Sequence, residues 1–182
     1  MEKIAIMNLV ERINLLFGGF QDEMCRACDG YNPHWRPNWK DEVETELNVI
    51  RDHFPVPLPE DYCEIFRKFG GGRIEDKRPN WVIPEMSFWT WDDMKDFDAT
   101  VGFFEDCPNG FPFGDDIGDV VYFYVDDGTD TGIYMAEKSM TFDRDFWYKI
   151  AGSFTELFTS TEAQRLFRNF YRYGCDKGTD GR

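Results

Sequence analysis

The sequence predicts an α+β fold: a mostly antiparallel, twisted sheet of about five or six strands, with N-terminal helices and a C-terminal helix packed on it. Three observations carry this expectation. Apolar residues recur at three- and four-residue spacing over 3–17, 38–54 and 58–69, short apolar runs between Gly, Pro, Asn and Asp turns fill the middle, and a last helical stripe closes the chain.

Ile6, Leu9, Val10, Ile13, Leu16 and Phe17 predict a first helix over 3–17, stopped by Gly18-Gly19. Residues 18–38 lack a period and read as a loop or small appended element. Asn38 is placed to cap a second helix reaching residue 54, with Val43, Leu47, Ile50 and Phe54 on one face, and Pro55 and Pro57 end it. Leu58 to Gly72 then holds every signal of one short helix. Pro59 suits the first helical position, Glu60 and Asp61 favour the positive end of the dipole, and Arg67 and Lys68 the negative end. Tyr62, Ile65, Phe66 and Phe69 form its apolar stripe.

Beyond the glycines, Trp81-Val82-Ile83 and Met86-Ser87-Phe88-Trp89 read as strands. Thr90 and Asp93 have the spacing to open a short helix carrying Trp91, Met94 and Phe97, before the turn Cys107-Pro108-Asn109-Gly110. Phe111-Pro112-Phe113 reads as a brief strand whose proline argues for an edge or a strand end. Asp119 to Val125 is β-branched and aromatic on both faces, which predicts a central, covered strand. Asp126 to Asp130 is a turn and Thr131 to Ala136 the antiparallel partner strand. Ser153-x-x-Glu156 and Thr159-x-x-Glu162 each have capping-box spacing, and Ala163, Leu166, Phe167 and Phe170 continue as a helix toward Gly174. Residues 1–37 thus read as a helix and extension packed on the main domain, 38–173 as the α+β domain, and 174–182 as a frayed tail.

Composition narrows the function. The chain of 182 residues is 42% hydrophobic, with 18 Phe, 8 Tyr and 6 Trp, enough for a core without metals or disulfides. No apolar run is long enough to span a membrane, and the first residues do not read as a secretory signal, so the expected location is the cytoplasm. A formal charge of −15 disfavours nucleic acid and anionic membranes and favours a basic protein partner. Five cysteines without framework spacing suggest reduced thiols.

Three pieces fall in order: Leu58-Pro59-x-Asp61-Tyr62 with Phe66 and the glycines, Gly118-Asp119 leading the central strand, and Ser153-Phe154 opening a C-terminal segment. Together, over roughly residues 40–160, they resemble the SUKH superfamily, which includes fungal cell-wall regulators and bacterial immunity proteins that neutralise toxins. An added N-terminus and the aromatic stretch from Trp81 to Phe104 depart from that pattern. The shared residues read as structural. Leu58, Pro59, Asp61, Tyr62 and Phe66 shape a helix, Gly70 and Gly71 permit positive φ, and Gly118, Asp119, Ser153 and Phe154 shape turns and a helix start. The resemblance implies protein binding without a cofactor or catalysis.

The residues leave alternatives open. Asp115, Asp116, Asp119, Asp126, Asp127 and Asp130 bracket the central strand, and Asp in turns bonds backbone amides without further purpose. An acidic contact surface for the Lys and Arg of a toxin is the second reading, and a hydrolase using the Asp115–Asp130 cluster the third. Their spacing fails the calcium-loop pattern. Cys25 and Cys28, with His34 as a conceivable third ligand, fall short of the four ligands of a structural zinc site. The expected metal and cofactor sets are empty. The expected contact residues are Asp115, Asp116, Asp126, Asp127, Asp130, Trp89 and Trp91, on an immunity protein that binds its cognate toxin. An intracellular adaptor on the same fold is the alternative.

Overall fold

The computed structural model describes residues 39–69, 72–74 and 86–173. The expected helix over 3–17, the Asn38 cap, the Cys25, Cys28 and His34 group, Gly70 and Gly71, the 81–83 strand and the tail from 174 lie outside the described residues.

Helix α1 (Trp39–His53) buries Val43, Leu47 and Ile50, three positions of one stripe, with Phe54 just beyond it. Helix α2 (Glu60–Phe69) buries Tyr62, Cys63, Ile65 and Phe66, and the Pro59 carbonyl accepts the Cys63 amide at 3.1 Å, so Pro59 stands at the N-cap, one residue before the first helical position expected for it, where its missing N–H costs no helical bond. Arg67 does more than face the helix dipole. It donates to Glu44 of α1 at 2.6 Å and to Glu60 at 2.9 Å, tying the two helices at the surface.

Six strands form one sheet among the described residues: β1 (Arg73–Ile74), β2 (Met86–Phe88), β3 (Gly110–Asp115), β4 (Val120–Asp126), β5 (Thr131–Glu137) and β6 (Tyr148–Ala151). Each pairs antiparallel with the next in chain order. The α+β expectation, with helices before the sheet and a helix after it, is what the chain adopts. β4 is interior and its first six residues are buried, as an apolar run on both faces requires.

Between β2 and β3 lie α3 (Trp91–Val101) and the single turn α4 (Phe103–Asp106). Thr90 and Asp93 form the expected capping box, and Gly102, at φ 73°, ends α3 in the left-handed region. After β6 come α5 (Phe154–Thr159) and α6 (Thr161–Tyr173).

Alternation along β4 places Tyr122 and Tyr124 on one face and Phe123 on the other. Tyr124 packs on Phe154 of α5 and Tyr122 on Phe167 of α6, while Tyr62 of α2 reaches Phe111 and Phe113 of β3. Phe123 meets Phe103 of α4 and Trp147 from the segment before β6. Both faces are therefore covered.

Three further local expectations need correction. Pro112 lies in an interior strand, not at an edge, and the register shifts between Pro112 and Gly114. That irregularity accommodates a residue with no amide to give to the ladder. The last helix is capped by Ser160, not Thr159: Ser160 Oγ accepts the Glu162 and Ala163 amides at 3.1 and 3.3 Å, and Thr159 instead donates to the Thr155 carbonyl. At α5, Ser153 accepts the Glu156 amide as expected, but the Glu156 carboxylate accepts from Gly152 rather than from Ser153. The short strand β6 and the 3-10 turns Lys138–Met140 and Arg144–Phe146 have no counterpart in the sequence reading.

Candidate partner-binding surface

The aspartates that bracket the central strand form two separate groups. Asp115, Asp116 and Asp119 belong to the β3–β4 turn, and Asp126, Asp127 and Asp130 to the β4–β5 turn. Six residues of β4, Val120 to Val125, stand between them, roughly 20 Å of extended chain. The two groups cannot act together on one small substrate.

At the first turn, Asp116 Oδ1 accepts the Gly118 and Val120 amides at 2.8 and 3.0 Å, the side-chain-to-backbone pattern that favours Asp in turns. Its other oxygen accepts the Tyr171 hydroxyl at 3.0 Å, and Tyr171 is in turn 2.8 Å from the Tyr122 hydroxyl. Burial pushes both tyrosines above their ordinary range, so each keeps its proton and serves as a donor. Lys138 donates to Asp115 and to the Gly118 carbonyl, each at 2.7 Å. These bonds hold Ile117 at φ 63°, a conformation that costs a β-branched residue about 1–2 kcal/mol. The exposed Asp119 carries its part in the turn through its backbone, whose carbonyl accepts the Lys138 amide at 2.7 Å.

The second turn is tied down as fully. Asp127 Oδ1 accepts the Thr129 hydroxyl and the Thr129 and Asp130 amides at 2.7, 3.0 and 2.8 Å, and Oδ2 accepts Arg144 at 2.8 Å. The Thr129 hydroxyl first, then the Asp130 amide and Arg144, hold its carboxyl well below the usual range. Asp130 accepts from Lys149 and from the Tyr134 hydroxyl, and these two donors, Lys149 foremost, lower it as well. Asp126 accepts the Thr131 hydroxyl at 2.8 Å. All of these carboxylates act as acceptors that fix loops.

The tryptophans divide. Trp91 is half-buried, stacked with Phe104 at 6° between planes and tilted on His53, with the Lys95 ammonium 5.7 Å from its ring. Trp89 is only 7% exposed and packs on Phe97, so the expectation that it lies on a contact surface is corrected: the chain turns into α3 directly after it and carries the indole inward.

Three of the signature residues, Tyr62, Phe66 and Phe154, converge in the core instead. Tyr62 lies between Phe66 and Phe154, with ring centroids 5.7 and 5.1 Å away, and Leu58 packs against the same cluster. Asp61 links two helix starts: Oδ1 accepts the Tyr62 amide at 3.1 Å, and Oδ2 accepts the Thr155 amide and hydroxyl at 2.8 and 3.0 Å. One carboxylate thus joins the N-terminus of α2 to that of α5 across 94 positions. Asp61→Ala is expected to cost about 1–2 kcal/mol in urea denaturation, and Asp61→Asn, which keeps one acceptor, less.

Sequence reasoning did not find Lys138, Arg144 and Lys149, the cations that hold the acidic turns. Nor did it single out Phe142 and Phe146, which are exposed at 62% and 36%. A signal was present in Phe142-Asp143-Arg144-Asp145-Phe146, where aromatics flank three consecutive charges and fit neither a helical nor a strand period.

Among the described residues, no helix is long and apolar enough to cross a membrane, and no three His, Cys, Asp or Glu side chains gather as metal ligands. No curated protein and no solved structure matches the chain. Residues 41–160 do match a family, over a span that runs from the start of α1 to the end of α5 and takes in both acidic turns and the Asp61–Thr155 junction. On that match, well over half of its 182 residues, the chain belongs to the SMI1 / KNR4 family (SUKH-1).

Proposed function

We propose that this chain is an immunity protein that neutralises a cognate bacterial toxin by direct, stoichiometric binding, in the cytoplasm and without a cofactor or catalytic step. The observation that carries the reading is the β4–β5 turn, where Asp126, Asp127 and Asp130 are held in place by Thr131, Thr129, Arg144, Lys149 and Tyr134 on a chain of formal charge −15. Carboxylates fixed before binding lose little entropy when a partner arrives. A basic toxin, such as one that grips phosphates with Lys and Arg, is complementary to them, and the field speeds encounter. Asp115 and Asp116 add a second acidic edge, and Trp91 a half-buried aromatic one.

Co-expression with the neighbouring gene tests this. The neighbour's product is expected to be toxic alone, harmless with this chain, and to co-purify with it in fixed ratio. Rescue without a complex overturns binding as the mechanism. A neighbour that is harmless alone favours an adaptor on the same fold, bound to a host protein.

A further inference from the structure

We infer that Phe142 and Phe146 are the anchor by which this chain seats on its protein partner, entering an apolar cleft rimmed by Lys and Arg. The inference rests on the binding function proposed above and places its energetic centre. Among the side chains whose burial is described these are the two exposed phenylalanines, at 62% and 36%; the other large exposed apolar residues are Val49 and Ile117. Where the described rings are nearly all buried or half-buried, two exposed phenylalanines four positions apart present apolar surface for a partner to cover.

Their exposure is not that of a loose loop. The Asp143 amide donates to the Met140 carbonyl at 3.2 Å and the Phe146 amide to the Asp143 carbonyl at 3.0 Å, closing successive tight turns. Asp143 Oδ1 accepts the Asp145 amide at 3.0 Å. Trp147, next in the chain after Phe146, is 8% exposed, packs on Phe123 and Tyr134 of the sheet, and its indole N–H donates to the Thr141 carbonyl at 2.9 Å. The Arg144 guanidinium lies 4.9 Å from the Trp147 ring centre while it pairs with Asp127. The phenylalanines are thus carried on a platform packed against the sheet, and a partner need not order it.

Charge identifies the occupant. Phe142 and Phe146 flank Asp143 and Asp145, and the Arg144–Asp127 pair makes the platform continuous with the Asp126–Asp130 turn. In this region Asp126, Asp127, Asp130, Asp143 and Asp145 outnumber Arg144 and Lys149 by three. A second copy of the chain, also at −15, is repelled, as is an anionic membrane. A cleft with an apolar floor and cationic rim is the complement: desolvated rings at the centre supply affinity, and charges around them supply rate and specificity.

The test measures binding of the purified toxin from the neighbouring gene to variants of the full chain. Phe142→Ala is expected to weaken binding about 30-fold, with Phe146→Ala smaller but in the same direction. Asp143→Asn with Asp145→Asn is expected to slow association and flatten its salt dependence, and Val49→Ala to change nothing. Melting temperature is read alongside, and the more exposed Phe142 decides. Phe142→Ala with native melting and native affinity overturns the inference while leaving the immunity function standing. An unaltered chain that does not bind the toxin overturns both.

Discussion

Gly114→Ala is expected to cost about 3 kcal/mol or more and to release β2 from the sheet. A β-carbon at position 114 would stand 2.0 Å from the Ser87 carbonyl oxygen and 3.1 Å from its carbonyl carbon. Both are backbone atoms, with no rotamer by which to move aside. β2 is three residues long and joins β3 through the pairs Ser87↔Asp115 and Phe88↔Gly114, so the strand that must give way has little else to hold it. Displacing it also pulls Phe88 from Phe113 and Phe158, whose ring centroids lie 5.9 and 6.3 Å away. β1 pairs with the sheet through β2 and would follow. The readouts are the urea midpoint and amide exchange at Trp89, whose N–H donates to the Phe113 carbonyl at 2.9 Å. Gly128→Ala is the comparison. There φ is 80° and nothing lies within 4 Å, so the cost is conformational, about 1–2 kcal/mol. If the two variants unfold at the same midpoint, the close approach at Gly114 is not what the geometry says it is.

What could be read beforehand was local. The stripe Val43, Leu47, Ile50, the Thr90–Asp93 box and the run from Val120 to Val125 each state their structure within a few residues, and each forms as expected. What could not be read was the partner of each group. Asp115 finds Lys138, Asp127 finds Arg144 and Asp130 finds Lys149, at separations of 23, 17 and 19 residues that follow from how β4, β5 and the segment after them lie together. Asp61 looked like a dipole residue of its own helix and also caps another. Pro112 misled because a proline argues against an interior strand unless a bulge absorbs it, and a bulge is set by the neighbouring strand. Hydrophobicity alone places Phe142 and Trp89 alike in the core. Only the platform under Phe142 and the entry into α3 after Trp89 separate them.

Phe154→Ala is the second large effect, expected at about 3–5 kcal/mol. The ring is fully buried, and its centroid lies 4.7 Å from Phe113, 5.1 Å from Tyr62 and 6.1 Å from Tyr124, so its removal opens a cavity where α2, α5 and the sheet meet. None of those three rings can fill the space without leaving its other contacts, which places the loss in the upper part of the range for a deleted aromatic. Ser153→Ala, which removes only the cap at the same helix start, is expected to cost about 1 kcal/mol. For a chain of this size, a loss of about 4 kcal/mol lowers the melting temperature by roughly 10 °C. The consequence in the cell separates scaffold from surface. A destabilised chain is depleted by proteolysis, so Phe154→Ala is expected to lose protection because its abundance falls, with protection and abundance returning together at lower growth temperature. Phe142→Ala, at an exposed position, is expected to lose protection at full abundance and at every temperature. Purified Phe154→Ala protein kept well below its melting point should then bind the toxin with native affinity, because the core ring packs on the Tyr124 face of the sheet and the platform's Trp147 on the opposite, Phe123 face.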